Sequence, residues 1–403
     1  MRLTGAGWMI VGIDASNLRG GGGVTHLTEL LRAAKPADQG IRQVIVWSGQ
    51  ATLGQLPDRP WLHPVHDPLL DRSLLSRMWW QQNVLPRLAA HTDVIFSPGT
   101  TPVQIKQPIV VLFQNMLPFA PVERRRYGWS RMRLQLSILG NTQTWALRQA
   151  EGVIFLTEFA RSSVEQCIGD LGNRQICIPH GIADEFRLAP RPAHLVEFYS
   201  VERPFRIVYV SIVTVYKHQW HVAEAIAQLR EAGFPVVLDL VGPAYGPALR
   251  RLREVLQRVD PGQEFIHYVG PVDYGQLPTW YHQADAFVYA SSCENLPIIL
   301  LEAMAAGLPI ACSNRGPMPG VLGQAGPYFD PENVNEIAAA LQTLLTDHEL
   351  RWQCAQMAFE QSQAYTWERC AKETFEFIVD IANRAPARLS DMGKGARSTK
   401  GLS

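Results

Sequence analysis

Two glutamates eight residues apart, Glu294 and Glu302, lie in the stretch SSCENLPIILLEAMAAGLPI, residues 291–310. The stretch follows the apolar run AFVYA, and Pro297 is placed to be the first residue of a helix, where a missing N–H costs nothing. Glu294 then sits in the loop before the helix, and Glu302 more than a turn inside it. Free backbone N–H groups around Leu296–Leu300 would make an anion site suited to a diphosphate, with Asn295, Leu296, Pro297 and Ile298 as its contacts. An ordinary surface glutamate and an ordinary helical one would show the same spacing. The spacing alone therefore decides nothing.

Other residues could serve the same chemistry. Lys217, in VSIVTVYKHQW, follows a strand-like run and could place its ammonium on phosphates. Gly20-Gly21-Gly22-Gly23 stands between the first apolar run and a helical pattern over Val24–Ala34, so backbone could approach a ligand closely at Gly22 and Gly23. This is not the dinucleotide pattern of oxidoreductases, since no G-x-G-x-x-G appears there. In IVVLFQNMLPFAP, Gln114 and Asn115 end a strand and can orient hydroxyls by hydrogen bonding, although neither can act as a base. Arg124, Arg125 and Arg126 open a basic stretch with Tyr127 and Trp129, a composition suited to an anionic membrane or a lipid-diphosphate acceptor. His26, His180 and His218 read first as packing or capping residues. No His, Asp and Cys cluster has metal spacing, and no essential metal or cofactor is expected.

These residues are carried by a repeating plan. The runs WMIVGID, QVIVW, DVIFS, PIVVLF, GVIFL and QICIP fill the first half; RIVYVS, VVLDLVG, FIHYVG, AFVYAS and PIACS fill the second. Continuous apolar runs of this length suit strands buried on both faces of a parallel sheet. Helical patterns lie between them, as at His218–Ala232 and Pro247–Val259. The fold class is α/β, doubly wound twice, with a ligand cleft expected between two Rossmann-like domains. A proline-rich, aperiodic seam from about Arg187 to Pro204 divides domains 1–190 and 205–365, with the linker at 191–204. Downstream of Asp330 the pattern is helical, ending with Trp367–Arg384, and residues 386–403 read as a disordered tail.

At 403 residues, 47% hydrophobic and 18% charged, the chain is a folded globular protein of two-domain size. Its net charge of zero gives no global attraction to nucleic acid. The charge is uneven: residues 1–187 hold 19 Lys+Arg against 14 Asp+Glu, and the remainder 18 against 23. Six scattered cysteines read as buried thiols in a reducing compartment. No run approaches the length of a bilayer span, so a cytoplasmic protein is expected, with peripheral membrane contact at most.

The surroundings of the two glutamates are more specific than their spacing. Glu294, Pro297, Glu302-Ala-Met-Ala-Ala-Gly307 and Pro309 resemble the E-x7-E block of glycosyltransferase family 4, retaining enzymes of the GT-B fold. The likeness extends to the glycine loop, Ile178-Pro179-His180-Gly181, Lys217 and Tyr365-Thr366-Trp367. It implies a GT-B architecture whose C-terminal helix, 366–385, returns to the N-terminal domain. It also implies that Glu294 contacts the donor sugar, Glu302 the ribose hydroxyls and Lys217 the donor phosphates. Two positions depart from the family. Ile212 stands where an arginine commonly precedes the lysine, with Arg315 as a substitute cation, and Gln114-Asn115 replace His-Asp. The expected function is metal-free, front-face transfer from a nucleotide sugar to a hydroxyl of a glycan or lipid-linked acceptor, as in cell-surface polysaccharide synthesis. A non-catalytic nucleotide-binding or partner-binding subunit is the alternative that the two departures motivate, and an epimerase on the same plan is disfavoured by the E-x7-E block.

Overall fold

The computed structural model describes residues 8–99 and 105–395, with residues 385–395 described by their backbone alone. The chain divides into two compact units. The first comprises Met1–Asn115, Ser137–Gly181 and Trp367–Ser403; the second comprises Met116–Leu136 and Ile182–Thr366.

The first unit holds a seven-stranded sheet: β1 Met9–Asp14, β2 Ile41–Ser48, β3 Leu62–His66, β4 Val94–Ser97, β5 Ile109–Leu112, β6 Gly152–Phe155 and β7 Arg174–Cys177. The order is β3-β2-β1-β4-β5-β6-β7, and every pairing is parallel. The second unit holds β8 Phe205–Val210, β9 Val236–Val241, β10 Ile266–Gly270, β11 Ala286–Tyr289, β12 Ile310–Ser313 and β13 Tyr328–Phe329. Its order is β10-β9-β8-β11-β12-β13, again all parallel. Both sheets reverse their winding beside their first strand, at β1/β4 and at β8/β11. Loops leaving the carboxyl ends there diverge and leave room for a ligand.

The apolar runs account for eleven of these strands. In β4, β5, β6, β9, β11 and β12 every residue is buried, as expected of strands covered on both faces. The two strands without such a run lie at sheet edges. β3, LHPVH, is mostly exposed and includes Pro64, which an edge tolerates, and β13 has two residues.

Four expectations are corrected. Pro297 is the cap preceding the helix Ile298–Ala305, its carbonyl accepting the first intrahelical bond from the Leu301 N–H at 3.1 Å. The C-terminal helix is longer than 366–385: it runs Trp367–Gly395, because Ala, Arg, Leu and Met sustain a helix through residues read as a disordered tail. Residues 396–403 lie outside the described residues. The seam is ordered and packs on the second unit. Leu188 N–H bonds the Ala305 carbonyl at 2.9 Å, His194 stacks on Phe198, and Arg351 donates to the His194 carbonyl. The segment Met116–Leu136, with its basic stretch, belongs to the second unit. Among the described residues no helix is long and apolar enough to cross a membrane.

The C-terminal helix closes the first unit over β6. A Cβ on Gly152 would come within 2.8 Å of Ile381 Cγ1 and 2.9 Å of Phe377 Cε1. Gly152→Ala is expected to cost about 1–3 kcal/mol by overpacking this contact, read as a lower urea midpoint with an unchanged slope.

Candidate active site

Lys217 and Glu294 leave the two strands that flank the winding reversal of the second sheet. Lys217 follows β8 and Glu294 follows β11. Lys217 is 3% exposed, so its ammonium has almost no water, and Glu294 Oε1 is its counter-ion. The same oxygen accepts from Tyr289 Oη at 2.8 Å and from Ser291 Oγ at 2.5 Å. Lys217 Nζ also donates to Tyr289 Oη at 3.0 Å, and Tyr209 Oη donates to the Lys217 carbonyl at 2.7 Å. Three donors therefore converge on Oε1. Among the described residues Oε2 takes no hydrogen bond and stays available as an acceptor.

Glu302 sits inside the helix Ile298–Ala305 and is 3% exposed. Burial pushes its carboxyl up to about 7, against the pull of two phenols. Tyr281 Oη donates to Oε2 at 3.0 Å, and Tyr274 Oη to Oε1 at 3.1 Å. Tyr281 is wholly buried; Tyr274 is exposed, so the hydroxyl over Oε1 can be displaced toward solvent. The helix start has fewer free donors than expected. Ile298 N–H bonds the Leu296 carbonyl at 2.9 Å, and Leu300 N–H the Pro297 carbonyl at 3.0 Å. Asn295 and Leu296 are buried beside this turn.

The structure thus brings together Lys217, Glu294, Asn295, Leu296, Pro297, Ile298 and Glu302 in one unit. Gly22 and Gly23 open the helix Gly22–Ala33 in the first unit, with Gly21 before them at φ 66°, a backbone that glycine adopts without strain. Side chains added at Gly20, Gly21 or Gly22 would meet nothing within 4 Å, whereas one at Gly23 would approach Gln114 Oε1 at 3.4 Å. Gln114 Nε2 is buried without a partner. Asn115 follows it, partly buried, in the loop after β5.

The basic stretch departs from expectation. Arg126 makes a two-pronged ion pair with Glu332 at 2.9 and 2.5 Å and bonds Glu123 at 2.7 Å, and Arg124 donates to the Pro118 carbonyl at 3.3 Å. Glu332 is 206 positions away in sequence, so the pair could not be seen there. Arg126 is thus an internal tie of the second unit. Arg315 pairs with Asp330 at 2.7 Å, and Ile212 is partly exposed. His26 and His180 stack at 4.2 Å in the first unit, and burial drives both imidazoles to the neutral form. His218 is buried in the left-handed region at φ 51°, bonding Ser292 at 2.9 Å. Among the described residues no group of three His, Cys, Asp or Glu side chains could hold a metal ion.

Sequence reasoning missed the hydroxyl shell of Tyr209, Tyr274, Tyr281, Tyr289 and Ser291. A signal was present in Tyr209 and Tyr289, which interrupt buried apolar runs: a buried phenol needs a polar partner.

The comparisons bear on this site. The sequence profile of the family described as "Glycosyl transferases group 1" matches residues 194–361, which lie in the second unit and include all seven of its site residues. Over these residues the chain is similar to the group 1 glycosyl transferases. Among relatives, it is 36% identical over 110 residues to the O-antigen chain mannosyltransferase B of Escherichia coli, covering 27% of this chain and 29% of that one. It is 27% identical over 312 residues to a GDP-mannose-dependent alpha-(1-6)-phosphatidylinositol monomannoside mannosyltransferase of Mycobacterium tuberculosis, covering 72% and 77%. The matches to the first relatives span less than a third of those proteins' own lengths. In fold, the chain superposes on Anabaena HepE, solved in complex with UDP and glucose, with TM-score 0.63 and 17% identity, covering 95% of this chain and all of that one. The architecture is GT-B, two Rossmann-like units, as the resemblance implied.

A raised carboxyl pKa gives a signed expectation for Glu302. Folded Glu302 holds its proton to about pH 7, while the unfolded group loses it near 4.5. The folded state therefore loses stability as pH rises through that window and loses no more above it. Glu302→Gln removes this slope, gaining on wild type by up to about 3 kcal/mol between pH 4.5 and pH 8. Denaturant melts at four pH values check it; parallel curves for the two proteins would refute the assignment.

Proposed function

We propose that the chain is a retaining glycosyltransferase that moves a sugar from a nucleotide-diphosphate sugar to a hydroxyl acceptor, without a metal. The reading rests on one observation above all. Glu294 is pinned through Oε1 beside a desolvated Lys217, leaving Oε2 to accept from a sugar hydroxyl. In this scheme the Lys217 ammonium balances negative charge that grows on the departing diphosphate. Glu302 takes the ribose hydroxyls once Tyr274 Oη yields its place on Oε1. The leaving phosphate removes the acceptor proton, so Gln114 and Asn115 need only orient hydroxyls. Donor binding falls to the second unit, and acceptor binding to the first.

The relatives' names support a place in polysaccharide or glycolipid synthesis and put GDP-mannose first among donors to test; the UDP complex of HepE puts UDP-glucose second. Melting-point shifts with GDP, UDP, ADP and dTDP identify the nucleotide. Slow hydrolysis of the matching sugar nucleotide by wild type should fall about 10²- to 10³-fold in Glu294→Gln and in Lys217→Ala. Wild-type protein that binds nucleotide and neither hydrolyses nor transfers would instead establish a binding subunit. Proton NMR of the product linkage reads retention directly.

Peripheral membrane contact has a specific observation in its favour, namely Trp129, 99% exposed, with Val122 and Leu134 also exposed in the second unit. Arg133 lies over the Trp129 ring at 5.4 Å. Flotation with anionic vesicles should weaken in Trp129→Ala and in Arg125→Ala; equal flotation of both variants and wild type removes the reading.

A further inference from the structure

Two guanidinium groups at the carboxyl end of β1 have no task in the scheme above. Arg19 precedes the glycine loop, and Arg77 lies in the helix Leu74–Asn83. Arg19 donates to the carbonyls of Asp71 at 2.7 Å, Arg72 at 3.3 Å and Leu70 at 3.4 Å, tying the turn before that helix to the loop after β1. Arg77 reaches the same loop at Asn17. Its Nη1 donates to Asn17 Oδ1 at 3.4 Å, a long bond, and its Nε is buried without a partner.

The acids at this strand end are engaged elsewhere. Asp71 takes His66 Nε2 at 2.5 Å and the Gln50 N–H at 2.9 Å, with only a through-space pull from Arg19. Asp14 is buried and takes Ser16 Oγ at 2.5 Å. Among the described residues no carboxylate pairs with Arg77. Burial, and then the like charge of Arg19, hold its guanidinium below its usual range. Like charges brought together around a buried orphan donor are unfavourable unless an anion joins them. The loop concerned leaves the strand at which the first sheet reverses, where its topology leaves room for a ligand, and the glycines beyond it face open space.

We propose that Arg19 and Arg77 form an anion site in the first unit that receives a phosphate group of the acceptor. Calling the ligand an acceptor rests on the transferase reading; the phosphate site itself does not. A planar guanidinium offers paired N–H donors to phosphate oxygens, and Arg77 Nε with Nη2 is such a pair, Nη1 being turned to Asn17. The phosphate could be a monoester on a soluble acceptor or the diester of a lipid headgroup, and the two can be told apart.

The test titrates full-length protein with inorganic phosphate, and separately with dihexanoyl phosphatidylglycerol below its micelle concentration, taking apparent Kd from melting-point shifts. Wild type should respond to at least one probe. Arg77→Gln should weaken that response about ten-fold or more, with Arg77→Lys intermediate because a point charge keeps attraction and loses the fork. Arg19→Gln should weaken it as well. A response to phosphate alone assigns a soluble monoester, and one to the diester assigns a headgroup. No response in wild type, or Kd values unchanged in both Arg77 variants, overturns the proposal. Circular dichroism and the ligand-free melting point of each variant separate lost binding from lost fold. Donor hydrolysis by wild type, lost in Glu294→Gln, reads the transferase site independently, so either reading can fail while the other stands.

Discussion

The arrangement of the second unit depends on the desolvated contact between Lys217 and Glu294. An ion pair taken out of water seldom repays its desolvation, and removing either partner leaves an unmatched buried charge. Such a pair persists when neighbours fix its geometry. Here Tyr289 touches both partners, Ser291 holds the same carboxylate oxygen, and Tyr209 bonds the Lys217 carbonyl. These residues lie at the carboxyl ends of β8 and β11 or in the loop that follows β11, so sheet register sets the spacing of ammonium and carboxylate. The pair is better understood as a preset electrostatic element than as a source of stability. In the proposed transfer it would set a cation against developing phosphate charge and leave one carboxylate oxygen for a hydroxyl.

The second glutamate is buried with no cation beside it. Glu294 has a cation beside it; Glu302 has only phenols, and its carboxyl is drawn toward the neutral form. Two carboxylates eight positions apart on one loop and helix therefore differ in surroundings: one faces a cation as well as hydroxyls, and the other faces hydroxyls alone. A carboxyl poised near neutrality in a hydroxyl-lined site suits the exchange of one hydroxyl for another, and the proposed ribose contact would take the place of Tyr274.

Legibility in the sequence followed the physics of each feature. Strands buried on both faces were visible because Val and Ile crowd into short runs, and so was the doubled plan. The edge strand Leu62–His66 was not, since half-exposed residues around Pro64 carry no period. Glu294, Glu302 and Lys217 were legible through the residues around them. The hydroxyls of Tyr274 and Tyr281 were not, because 28 and 21 residues separate them from Glu302 and only folding brings them together. The same blindness to distant partners made Arg126 look free for lipid when Glu332 holds it. Composition misled at the C-terminus, where glycine, serine and lysine suggested disorder and alanine, leucine and arginine continue the helix to Gly395.

The two units share a topology and differ in the polarity of what they present at the carboxyl edge. The second offers acceptors: an open Glu294 oxygen and a Glu302 carboxyl reached through phenols, with a single ammonium among them. The first offers donors. Gln114 Nε2 and Arg77 Nε are buried without partners, Arg19 adds a second guanidinium, and a helix begins at Gly22 behind a glycine turn. An edge of acceptors around one ammonium suits a sugar and a ribose joined by phosphates, and an edge of donors suits an anion alone. On the two proposals, one winding plan used twice would differ in recognition chemistry through a few residues of the loops and helices that follow its strands.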